Sequence, residues 1–141
     1  MKYLLDTCVI SELVKRVPDT NVVNWLQQQD EMSLFLSTLT FGEIEKGIEK
    51  APDDVRKQKL RIWLEEDLYQ RFDGRIIPID LSVATQWGRT QGTLEKQGIM
   101  MPSIDGLIAI SALVNNCIMV TRNVTDMESS GVELLNPWLP R

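Results

Sequence analysis

The feature that most constrains this chain is an alternation of short, continuously apolar runs with segments of helical periodicity. The runs KYLL, SLFLS, RIIPI, CIMVT and VELL are apolar along most of their length rather than at every second residue. A strand with one wet face alternates, whereas a strand covered on both faces does not. Helical segments separate the runs, so the expected fold is α/β, a parallel sheet with helices on both faces. Such sheets bind ligands beyond the carboxyl ends of their strands. At 141 residues, with 43% hydrophobic and 25% charged side chains, the chain has the size and composition of one globular domain. No linker, repeat or low-complexity tract divides it, and a single domain over 1–141 is expected.

The helices carry their own punctuation. The first is expected from about Thr7, with Val9, Ile10, Leu13 and Val14 at helical spacing, and a second through 22–29. Thr40 and Glu43 have the spacing of a capping box that opens a helix through FGEIEKGIEK. Pro52 and Asp53 start a longer helix, marked by Leu60, Leu64, Leu68 and Phe72 at every fourth position. Leu81 to about Gln97 reads as a helix with Val83, Ala84, Trp87 and Leu94 inward and Gly98 as its stop. Pro102 and Ser103 introduce the almost uncharged helix IDGLIAISALV, which Asn115 and Asn116 end.

Composition then removes whole classes of chemistry. There is no histidine, which rules out a histidine base and a zinc site of the usual His/Cys kind. Cys8 and Cys117 lie far apart and read as free buried thiols of a reducing compartment. The opening MKYLLDTCVISELV carries Asp6 and Glu12 within its apolar stretch, so it fails as a signal peptide or membrane span. A cytoplasmic location is expected. The net charge of −5 argues mildly against a sequence-independent nucleic-acid binder. Lys46, Lys50, Arg56, Lys57, Lys59 and Arg61 crowd one stretch, as a solvated helix face or as a flank for a phosphate backbone.

Three acids stand where the chain switches into helix: Asp6, Glu43 and Asp105. The turn RNVTD adds Asn123 and Asp126. Taken singly, each has a structural use as a cap or as a first-turn anion on the helix dipole. Taken together on one sheet edge, they form an oxygen-rich pocket, costly to crowd unless a cation holds it. Such a pocket suits Mg²⁺ or Mn²⁺. A bound water activated by that ion gives a histidine-free route to phosphodiester hydrolysis.

The segments YLLDTCVISELVK, STLTFGEIEKGI, DGLIAISALV and VTRNVTDM, in that order and spacing, resemble the PIN-domain family. More closely they resemble its VapC-like toxin ribonucleases of type II toxin–antitoxin modules. The resemblance spans nearly the whole chain and implies an α/β/α sandwich with a central parallel sheet. It implies a Mg²⁺- or Mn²⁺-dependent endoribonuclease that is a toxin, forms a homodimer, cleaves RNA and is silenced by a cognate antitoxin protein. Asp6 and Asp105 match the family's principal metal ligands, Glu43 its second acid, and Thr7 a hydroxyl residue beside the first Asp. Asn123 falls where many relatives carry a fourth acid, with Asp126 one turn further on, so a one-metal site is expected. Ser37, Thr38 and Arg122 are candidate phosphate contacts or ordinary loop and cap residues. Two other readings stay open: a non-catalytic binding module that keeps this fold, and a nuclease acting on DNA.

Overall fold

Each apolar run forms a strand: β1 (Lys2–Leu5), β2 (Leu34–Ser37), β3 (Ile76–Ile77), β4 (Cys117–Val120) and β5 (Leu134–Leu135). The structure is a computed structural model that describes residues 1–140. All the strands pair in parallel, in the order β3-β2-β1-β4-β5. In β1, Leu4 lies beside Phe35 of β2 and Met119 of β4, while Leu5 lies beside Val120. Successive side chains point to opposite faces. Leu5, Leu34, Leu36 and Val120 therefore enter one core, and Leu4, Ile77, Cys117 and Met119 the other. That is why the runs show no polar alternation.

The first core is closed by α1 (Thr7–Leu13), α2 (Thr20–Gln27), α3 (Thr38–Glu49), α4 (Asp54–Ile62) and the turns after it. The second is closed chiefly by α7 (Ser103–Val114), against which α6 (Leu81–Lys96) packs, and by α8 (Val124–Met127). The arrangement is an α/β/α sandwich with an all-parallel sheet. Among the described residues no helix is long and apolar enough to cross a membrane.

α4 does not end at Ile62. It runs through a π-helical segment, Trp63–Leu68, into α5 (Tyr69–Arg71). The strict four-residue repeat of Leu60, Leu64, Leu68 and Phe72 explains this. On turns of 3.6 residues such a stripe drifts around the helix, and the wider i→i+5 turns return it to the core. Leu64, Leu68 and Phe72 are fully buried as a result. Gly74, at φ +79°, then turns the chain into β3.

Several helix boundaries differ from the sequence reading. α2 starts at Thr20, because the Asp19 side chain accepts from the N–H groups of Asn21 and Val22. α3 starts at Thr38, capped by Ser37, whose hydroxyl accepts from Leu39 N–H. Strand β2 feeds α3 with no loop, so the cap is the last strand residue. Thr40 is buried in the first turn, and no capping box forms with Glu43. Ala84 faces solvent; Gln91, buried and bonded to the Met101 carbonyl, takes an inward place on α6 instead.

Candidate active site

Asp6 is the hinge of the site. Its backbone N–H makes the last ladder bond of β1, to Val120 O at 2.9 Å, and its side chain then caps α1. Oδ1 accepts from Thr7 N–H at 2.8 Å, and Oδ2 accepts from the Thr121 hydroxyl at 2.7 Å and from the Cys8 thiol at 3.5 Å. With the residue 2% exposed, these donors leave the carboxylate little freedom. The register that sets Leu5 beside Val120 is what brings Thr121 to Asp6. Burial, followed by the Asp6 charge, pushes the Cys8 thiol up to about 11, so it stays protonated and unreactive.

Thr7 connects Asp6 to the second acid: its hydroxyl donates to Glu43 Oε1 at 2.5 Å and lies 3.4 Å from the Thr40 hydroxyl. Glu43 projects half-buried from α3, and Asp105 half-buried from the first turn of α7. Burial first, then the charges of Asp6, Glu43 and Asp126, push the Asp105 carboxyl up to about 6. The four acids thus share one electrostatic field at the carboxyl edge of the sheet. Among the described residues, no Lys or Arg comes within ion-pairing distance of any of them. Nor do three acidic or cysteine side chains there stand close enough to grip an ion as placed. Glu43 turns toward Thr7 instead, and carboxylates with no counter-charge repel one another.

The remaining residues divide. Asn123 precedes α8, but its side chain does not cap that helix; its N–H donates to the Thr121 hydroxyl at 2.9 Å. Asp126 is exposed on α8 and adds its charge to the field around Asp105, which Asn123 does not. Ser37 is fully buried and occupied as the α3 cap, so it is no phosphate contact. Thr38 and Arg122 are exposed, and the Arg122 guanidinium lies 4.2 Å from the centre of the Trp138 ring. Thr121 is the residue that sequence reasoning missed. Its only local sign was a hydroxyl just past a strand, and its partner lies 115 positions away.

The position of Asp105 has a stability consequence. Between about pH 4 and pH 6 the folded chain keeps a proton that the unfolded chain releases. Metal-free stability therefore falls as pH rises through that window, and stays low above it. Asp105→Asn is expected to stabilise the metal-free protein at pH 7 by about 1–2 kcal/mol, after discount for solvent screening. Urea unfolding at pH 5 and pH 7 checks this: the wild type should lose stability between the two and the variant should not.

A sheet covered on both faces, with histidine-free carboxylates gathered beyond its strand ends, defines a class of parallel α/β domains with an acidic cleft. Residues 3–125 match the PIN domain family, and the chain belongs to it. It is 33% identical over 135 residues to the plasmid stability protein StbB of Pseudomonas syringae pv. tomato, covering 96% of this chain and 97% of that one. It is 31% identical to the VapC ribonuclease Y4jK of Sinorhizobium fredii, with 97% and 98% covered. The crystal structure of FitAcB from Neisseria gonorrhoeae superposes with a TM-score of 0.91 at 31% identity, covering 96% of this chain and 98% of that one.

Proposed function

We propose that this chain is a Mg²⁺- or Mn²⁺-dependent endoribonuclease and the toxin of a toxin–antitoxin pair. One observation carries the reading: Asp105, pushed up to about 6 by burial and then by the charges of Asp6, Glu43 and Asp126, sits in a group of acids that no basic side chain among the described residues neutralises. Hard, anionic oxygen donors without a cationic partner fit a hard divalent ion. Asp6, Asp105 and Glu43 would hold it. When bound, such an ion lowers the pKa of a bound water and offsets phosphate charge.

The side chains supply the rest. Thr121 and the Thr7 N–H fix both oxygens of Asp6, so its direction is set before anything binds. Glu43 Oε1 is anchored by the Thr7 hydroxyl, which leaves Oε2 to accept the proton of an attacking water. Asp105 is an anion above about pH 6 and a weaker ligand below it. Asp126 adds charge at the rim. Asn123 brings none.

RNA as substrate is supported by the likeness to a VapC ribonuclease. Toxicity and an antitoxin partner are supported by a 31% identity over 135 residues to the toxin FitB of Neisseria gonorrhoeae. Two free thiols, Cys8 and Cys117, agree with a reducing cytoplasm. A homodimer is the assembly we expect. The test is cleavage of single-stranded RNA against a matched DNA strand in Mn²⁺, repeated with excess EDTA. RNA should be cut, DNA spared, and EDTA should stop the reaction; equal cutting with EDTA would exclude the metal-dependent reading.

A further inference from the structure

A groove of about 330 Å³ opens directly beside Thr7 and Glu43 and runs between α1, α3 and α4. Ile44, Gly47, Arg56 and Trp63 line it together with those two residues. Two features bear on its use. Gly47 lies inside α3, where glycine is destabilising relative to alanine. Yet a Cβ there would meet nothing within 4 Å, so no neighbour demands the glycine. Gly42, Gly88 and Gly92 have the same open space, but Gly47 is the one on the groove, so a larger side chain there would enter it.

The second feature is the fate of the basic stretch. Lys57 pairs with Glu49, and Arg61 with Glu45 and Glu49, so these cations serve to tie α4 to α3. Lys15, also on the groove, is held by Glu12 at 2.9 Å. Arg56 lines the groove with no acidic partner among the described residues. Trp63, at the first residue of the π segment, is half-buried against the core and lines the same groove. An aromatic side chain, an aliphatic one and an unpaired guanidinium in a groove that also includes Glu43 match the parts of a polynucleotide strand.

We propose that this groove is a nucleotide subsite, an inference that rests on the ribonuclease reading above. The base next to the scissile phosphate of a single-stranded RNA packs against Trp63 and Ile44, and Arg56 binds the phosphate beyond it. The test is steady-state cleavage of a short single-stranded oligoribonucleotide in Mn²⁺ by the wild type, Gly47→Leu and Arg56→Gln. Gly47→Leu fills the groove, and Arg56→Gln alters an exposed side chain that makes no ion pair among the described residues. Each variant is expected to raise KM about tenfold with kcat within twofold, and 2-aminopurine next to the cleaved bond should lose fluorescence on binding wild type but not Gly47→Leu. An unchanged KM in both variants overturns the proposal and leaves the groove to a protein segment. A fall in kcat alone also overturns it, since the groove then acts on the acids and not on the strand. Absence of cleavage by the wild type is a different result, which rejects the ribonuclease reading itself.

Discussion

Asp6→Asn is expected to lower RNA cleavage by about three orders of magnitude, the scale set by removing a group that stabilises transition-state charge. The fold should survive. Asparagine keeps an oxygen to accept the Thr7 N–H and so remains a good cap for α1. The Thr121 hydroxyl can rotate to accept from the new amide where it formerly donated to the carboxylate. A second readout separates loss of charge from loss of shape. Asp6 is the first of the three charges that raise Asp105, after burial. Its neutralisation should therefore move the Asp105 titration, followed by carboxyl carbon NMR, below the wild-type value of about 6. Retained cleavage in Mg²⁺ would show that the site is wrongly assigned.

The largest effect on stability is expected away from the acids, at Arg75. It precedes β3, at the sheet edge opposite the carboxyl ends, and is only 6% exposed. Its guanidinium donates to the carbonyls of Glu31 at 2.5 Å and Leu34 at 2.6 Å, and to that of Arg71. It also lies 3.6 Å from the Glu31 carboxylate and 5.0 Å from the centre of the Phe72 ring. One side chain thus binds the entry of β2 to the end of α5. Arg75→Ala would strand those carbonyls and open a cavity beside Phe72. The expected loss is about 3 kcal/mol, which for a chain of this size lowers the melting temperature by roughly 10 °C. Arg75→Lys should recover little, because an ammonium cannot reproduce the planar fork. Calorimetric melting checks both variants, and a shift below about 3 °C for the alanine variant would contradict this account.

These two residues also show what a sequence discloses and what it conceals. The sheet was legible because strands buried on both faces lose their alternation, and all five runs proved to be strands. Asp6, Glu43 and Asp105 were legible because each stands at or near a change from strand or turn into helix. The cap of α3 was misread: Thr40 and Glu43 have capping-box spacing, but β2 enters the helix without a loop and Ser37 takes the role. Side-chain partners across the fold were not legible. Thr121 finds Asp6 through a strand register, and Arg75 finds the carbonyl of Glu31 across 44 positions. Neither pairing leaves a local pattern. The π segment has only a faint sign, a repeat of four over Leu60, Leu64, Leu68 and Phe72, which drifts slowly on an α-helix and so reads equally as one.

Titration of Mn²⁺ into EDTA-stripped protein by calorimetry is the most direct examination of the carboxylate centre. The wild type should bind a single ion at pH 7, and at pH 5.5 the heat should depend on the buffer as Asp105 gives up its proton. Asp6→Asn should show neither response. No heat from folded wild type, or undiminished binding by Asp6→Asn, would contradict the assignment of Asp6, Glu43 and Asp105 to one cation.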